Sequence, residues 1–217
     1  MLKLGKCLAV FVASMLSAKV TGAAVIFHPS PEELSSASAI ETTLTFDQYG
    51  DFEELGRGRV VLDGIAFRSS NPDSAWTTHD VGSLGPPSLP NVFSTGNDGL
   101  DVNTLTFGGR STDAIGFFLF TQVRFPTLKW LITVEEVGGA RKTFPFEQSG
   151  ANQYYGFTST LGITSVIVDD DPSDNFIPNA FFDDVARGAI VPEPDSVAIA
   201  LMSLASLCLC RRRGHAG

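Results

Sequence analysis

The chain has 217 residues, with 15 Lys and Arg against 24 Asp and Glu and a formal net charge of −9. That length fits one domain with extra segments, and the acidic balance disfavours binding nucleic acid through phosphate neutralisation. At 43% hydrophobic and 18% charged, the chain is too apolar for general disorder.

Residues 1–24 read as a secretory signal peptide. Lys3 and Lys6 precede an apolar run at 7–18, and the small residues Gly22, Ala23 and Ala24 follow, the charged, apolar and small-residue order that a signal peptidase needs. Cleavage is expected after Ala23 or Ala24. Setting aside residues 191–217 as well leaves a domain at 25–190. There nine basic residues face 22 acidic ones, a balance of −13. The three cysteines, Cys7, Cys208 and Cys210, all fall outside it, whereas 16 of the 17 Phe fall inside. An exported domain without disulfides rests on its apolar core, here a Phe-rich one.

One short helix is predicted in this domain. Ser30, Pro31 and Glu33 form a capping box with proline at the first helical position, opening a helix through about Ser38. The rest is strand-like, with short runs of Val, Ile, Thr and aromatics between Gly, Pro, Asn and Asp clusters. Strands are predicted near 25–27, 42–46, 59–62, 65–69, 91–93, 103–107, 114–120, 129–137, 141–146, 154–159, 163–168 and 181–186. The run 114–120 is apolar at nearly every position and predicts a central strand buried on both faces. Trp130, Ile132 and Val134 alternate with Leu131, Thr133 and Glu135, as in a strand with one wetter face. Gly138-Gly139 predicts a hairpin closed by a two-residue turn. With four prolines and few apolar residues, 71–90 reads as a long loop with Trp76 folded back on the sheets. Regular short strands with frequent turns argue for an all-β sandwich.

Catalytic signatures are sparse. The domain holds two histidines, His28 and His79, and no G-x-S-x-G, so neither a serine triad nor a zinc site is supported. Asp169, Asp171 and Asp174 offer hard oxygens for Ca²⁺, with Asp183-Asp184 downstream. EF-hand spacing from Asp169 fails, with Asp174 where glycine is needed and Ala180 where glutamate is needed. The other reading of this run is a solvated acidic loop, and no further cofactor is expected. Glu53-Glu54 and Glu135-Glu136 are adjacent in sequence. Each pair would therefore point to opposite faces of a strand and is not itself a glycosidase pair. Trp76, Trp130, Tyr154 and Tyr155 are candidate sugar-stacking rings. Trp76 and Tyr154 lie near predicted loops, where exposure favours a ligand role, and the alternation puts Trp130 in the core.

The last segment, 191–217, has an unusual order. Pro192, Glu193 and Pro194 form an extended motif. An uncharged run at 197–210 follows, about 21 Å long as a helix against a hydrocarbon core of about 30 Å. Arg211, Arg212 and Arg213 close it and are expected to stay cytoplasmic. This order closely resembles the PEP-CTERM sorting signal of exported bacterial proteins. The resemblance implies transient insertion in the inner membrane, recognition by an exosortase-type membrane processing enzyme, and delivery to the cell surface or extracellular matrix. The order Thr45-Phe46-Asp47, Val92 to Asn97, Leu105-Thr106-Phe107, Ala114 to Phe117, Tyr155 to Ser159 and Phe182 to Val185 also looks like the jelly-roll domain common in that group. The sequence thus predicts a jelly-roll-like β-sandwich with a short N-terminal helix, flanked by a signal peptide and a C-terminal membrane-sorting helix. Its expected work is structural or adhesive and not enzymatic, with extracellular polysaccharide as the partner and no nucleic acid. The competing expectation is a secreted carbohydrate-active enzyme whose carboxylates meet in a cleft.

Overall fold

The computed structural model describes residues 24–80, 91–95, 102–120, 128–148, 152–170 and 180–191. The chain opens with a short strand β1 (Ile26–His28) and the helix α1 (Pro31–Ala37). Ser30 caps the helix in extended geometry, its Oγ accepting the Glu33 N–H at 3.2 Å, and Pro31 fills the first turn. The helix ends directly into β2 (Ser38–Leu44).

Eleven further strands follow: β3 (Glu54–Arg57), β4 (Arg59–Leu62), β5 (Ile65–Ser69), β6 (Ala75–Asp80), β7 (Asn91–Thr95), β8 (Asn103–Thr106), β9 (Thr112–Phe120), β10 (Leu128–Glu136), β11 (Arg141–Gln148), β12 (Asn152–Asp170) and β13 (Phe181–Ile190). All pairings among them are antiparallel, and hydrogen bonding is continuous in the order β3-β6-β7-β13-β9-β12-β8-β5-β4. The described residues form an all-β, jelly-roll-like sandwich with one short helix near its start.

The long strand β12 belongs to both layers. Its first half pairs with β9 and β1, and its second half pairs with β10 and β8. Gly162 lies between the halves at φ +82°, a conformation that glycine adopts freely. A Cβ there would come within 2.9 Å of the Ser111 hydroxyl. Predicting two strands at 154–159 and 163–168 split one bent strand at this point. One layer therefore holds β1, the start of β12, β9, β13, β2 and β7. The other holds β11, β10, the end of β12, β8, β5 and β4.

The core lies between the layers and is Phe-rich. From the first layer, Phe117, Phe157 and Phe182 are fully buried, as are Phe67 and Leu105 from the second. Rings meet across the gap, Phe67 with Phe182 at 6.1 Å and Phe146 with Tyr155 at 4.8 Å. Strand β9 sits between β13 and β12 and buries residues on both faces. Ile115, Phe117 and Leu119 enter the main core, whereas Ala114, Phe118 and Phe120 face outward, under α1 and beside Phe181. In β10, Trp130, Ile132 and Val134 point inward as the alternation predicted.

Three sequence expectations need correction. Residues 75–80 form β6, paired with β7 and β3, and so are no part of a long loop. Their apolar alternation is hidden because buried Thr78 takes an inward slot and donates its hydroxyl to the Gly50 carbonyl. Strand β3 was not anticipated, since its sequence, ELGR, has no apolar period. The β10–β11 hairpin closes over three residues, 137–139. The Gly139 N–H reaches the Glu136 carbonyl at 2.9 Å, and the Glu136 N–H reaches the Ala140 carbonyl at 2.8 Å. The Asp63-Gly64 turn between β4 and β5 is the two-residue case, with positive φ at both positions.

Candidate functional site

The two rings singled out for sugar stacking are both buried. Trp76 on β6 has no exposed surface. It stacks on Phe93 at 4.9 Å and meets Phe67 edge-on, and its indole N–H donates to the Gly58 carbonyl at 3.4 Å. Tyr154 on β12 is 6% exposed. It packs with Leu34 of α1 and edge-on to Phe118 at 5.0 Å, and burial, with the Glu32 and Asp184 carboxylates, pushes its phenol pKa up. Tyr155 is fully buried, and burial likewise raises its phenol pKa. None of these faces can meet a ligand. A tryptophan or tyrosine near a turn signal goes inward here because the flanking residues form strand and not loop.

Asp169 lies on β12 opposite Leu131 of β10, whereas Asp171 and Asp174 lie outside the described residues. Asp183 is fully buried, its Oδ1 accepting the Asp184 N–H at 2.8 Å beside the β13 bulge. Among the described residues no three of His, Cys, Asp and Glu gather to hold a metal ion. Ala24 is described and exposed. Ala23, Pro192, Glu193, Pro194, Arg211, Arg212 and Arg213 lie outside the described residues, as does the apolar run 197–210. No described helix is long and apolar enough to cross a membrane.

Each carboxylate pair has structural work. Glu53 accepts the Gly50 N–H at 2.7 Å, and Glu54 holds Arg57 at 2.8 Å. Glu135 faces solvent with Arg141 at 3.2 Å, whereas Glu136 is buried and accepts the Ser159 hydroxyl. Two open depressions among the described residues, about 770 and 320 Å³, contain no Asp or Glu in their linings.

What the structure does expose is Phe52, which the sequence reading passed over. The residue is 71% exposed, and its backbone sits at φ +55°, a left-handed conformation that costs a non-glycine residue roughly 1–2 kcal/mol. Hydrogen bonds to β6 hold it there. The Phe52 N–H donates to the Thr78 carbonyl at 2.8 Å, and the Thr78 N–H donates to the Glu53 carbonyl at 3.1 Å. Behind the ring stands His79, edge-on to Phe52 at 5.1 Å and to Phe181 at 5.5 Å. His79 Nε2 shares a 2.8 Å hydrogen bond with the Thr77 hydroxyl. Burial lowers the His79 pKa against the opposing pull of Asp51, which keeps the imidazole neutral at pH 7. The result is a solvent-facing ring beside the hydrogen-bonding Thr77 and His79, with the Asp51 and Glu53 carboxylates on its flanking residues. Such a surface stacks on the C–H face of a sugar and hydrogen-bonds its hydroxyls. The sequence carried one sign of it: Phe52 stands alone among Asp51, Glu53 and Glu54, with no apolar neighbour to draw it inward.

No family model and no curated protein matches the chain. Solved structures that resemble it include a variant of the family 29 carbohydrate-binding module CBM29-2, at TM-score 0.39 and 10% identity over 64% of this chain and 92% of that one. Another is the CBM22-1 xylan-binding domain from Paenibacillus barcinonensis Xyn10C, at TM-score 0.41 and 9% identity over 71% and 96%. A second CBM29-2 variant has TM-score 0.34 and 11% identity over 76% and 91%. At such scores and identities these likenesses say nothing of what this chain binds.

Proposed function

We propose that this is an exported, non-enzymatic protein of the cell surface or extracellular matrix whose sandwich binds polysaccharide. The observation that carries the binding is Phe52, a ring held in solvent by a strained and hydrogen-bonded backbone beside His79 and Thr77. Backbone strain of this kind persists where the surroundings over-determine it, typically at ligand-contacting positions. Export and sorting are supported by the order of residues at the two ends, 1–24 and 191–217. The proposed route runs through transient membrane insertion and an exosortase-type enzyme that removes the tail.

Retention on insoluble and soluble neutral polysaccharides tests the binding. Phe52→Ala should weaken it up to about tenfold, the value of one aromatic contact, while leaving the melting temperature unchanged or raised. Undiminished retention in that variant refutes the assignment of Phe52. Intact mass of the surface form tests the sorting: it should lack residues through Ala23 or Ala24 and those beyond the Pro-Glu-Pro motif.

A further inference from the structure

We propose that the solvent face of the second layer is an anion subsite for acidic polysaccharide, built on Arg59, Arg68 and Arg110; this rests on the polysaccharide reading above. Arg59 on β4 and Arg68 on β5 are directly opposed in the antiparallel register. Side chains so placed have Cβ atoms about 5 Å apart, and like charges there destabilise the sheet. Among the described residues neither arginine has a carboxylate within ion-pair distance, whereas Arg57 pairs with Glu54 and Arg141 with Glu135. Nine basic residues among 22 acidic ones would ordinarily find carboxylate neighbours, so two opposed arginines with no carboxylate partner among the described residues mark a place where an outside anion completes the charge.

The surroundings fit that occupant. Arg68 is opposed on its other side by Thr104 of β8. From there the row continues through Ile167, Thr133 and Thr143. Arg59 and Arg68 line the 320 Å³ depression together with Ser70, Thr104 and Thr106. Thr106 also lines the adjoining 770 Å³ depression, which brings in Arg110, Ser111 and Thr164. Arg110 closes the tight turn from Phe107, its N–H donating to the Phe107 carbonyl at 3.1 Å. The two depressions meet at Thr106 and present guanidinium groups and hydroxyls alongside the apolar Phe107 and Val137. Planar guanidinium groups take carboxylate or sulfate in a bidentate fork, and the hydroxyls match sugar hydroxyls. A uronic-acid or sulfated polysaccharide supplies both along one chain. Nucleic acid fits less well. Its duplex carries a charge for about every 1.7 Å of axis, denser than one carboxylate per sugar, so the acidic balance of the domain opposes it more strongly, and Phe52, the exposed aromatic ring among the described residues, does not line these depressions.

The test measures binding of the full chain, solubilised in mild detergent, to polygalacturonate, dextran sulfate, neutral dextran and duplex DNA, at low and raised salt. Polygalacturonate or dextran sulfate should bind in a salt-sensitive manner, and the stronger of the two names the anion. Arg59→Gln with Arg68→Gln should weaken that binding about tenfold or more and leave the melting temperature unchanged or higher, because an opposed pair is relieved. Arg141→Gln, on the same face but paired with Glu135, should change it little. Binding of acidic glycan unaffected by the double variant, or tighter binding of DNA than of either acidic glycan, overturns the proposal. Retention of neutral glycan through Phe52, without acidic binding, overturns this subsite and leaves the broader reading standing. Failure to bind any polysaccharide overturns both.

Discussion

The contact between α1 and the sheet beneath it is the most sharply testable packing in the molecule. Gly116 of β9 lies opposite Gly156 of β12, and the Tyr154 hydroxyl lies over it. A Cβ at position 116 would sit 1.9 Å from that oxygen and 2.7 Å from both Tyr154 Cζ and Leu34 Cδ2. Ordinary contact begins at 3.4 Å, so the ring would have to retreat by about 1.5 Å. Leu34 above and Phe118 at 5.0 Å enclose it, and the backbone of Gly116 has no positive φ to complicate the substitution. Overpacking of an enclosed site costs about 1–3 kcal/mol, and the depth of this overlap puts Gly116→Ala at the upper end, about 2–3 kcal/mol. In a domain of this size that lowers Tm by roughly 4–12 °C. Calorimetry on a cycle with Tyr154→Leu separates the cause. The single Tyr154→Leu loses ring burial and the contact with Phe118, about 1–3 kcal/mol. The double variant should fall short of the summed losses by more than about 1 kcal/mol, because the clash and its partner vanish together. Additive losses, or Gly116→Ala at the wild-type Tm, would refute this packing.

Two further outcomes follow from the same coordinates. His79 and His28 are both held below the ordinary histidine pKa of 6.5, chiefly by burial. The unfolded chain therefore binds more protons, and stability fully present above pH 6.5 is lost as pH falls from there through the lower folded-state pKa of each; His79→Gln should flatten this acid-side loss of Tm, and an unchanged slope would contradict it. Trp76→Phe should leave polysaccharide retention intact, because the indole meets no solvent. Lost retention by a fully folded variant would return Trp76 to the binding surface.

What was legible from the sequence, and what was not, divides along a physical line. Strands β4 and β5 fall at the predicted residues because Gly58 and Asp63-Gly64 punctuate two short apolar runs, Val60 to Leu62 and Ile65 to Phe67. Strand β9 was evident as a buried centre because few exposed strands are apolar on both faces. Strand β6 was not, since a threonine occupies a core slot through a hydrogen bond to a loop carbonyl, which hydropathy cannot register. The candidate surface follows the same division. Local pattern places a ring on a strand but does not say which ring the tertiary packing covers. Trp76 and Tyr154 went inward while Phe52, flanked by carboxylates, was held out. The arginine pair was latent in the sequence. A two-residue turn at 63–64 makes paired residues symmetric about it, and that alone sets Arg59 opposite Arg68. Only the pairing of β5 with β8 shows that the next strand offers Thr104 and no carboxylate. Long-range register decides whether a charge is neutralised, and so whether a surface is left wanting a ligand.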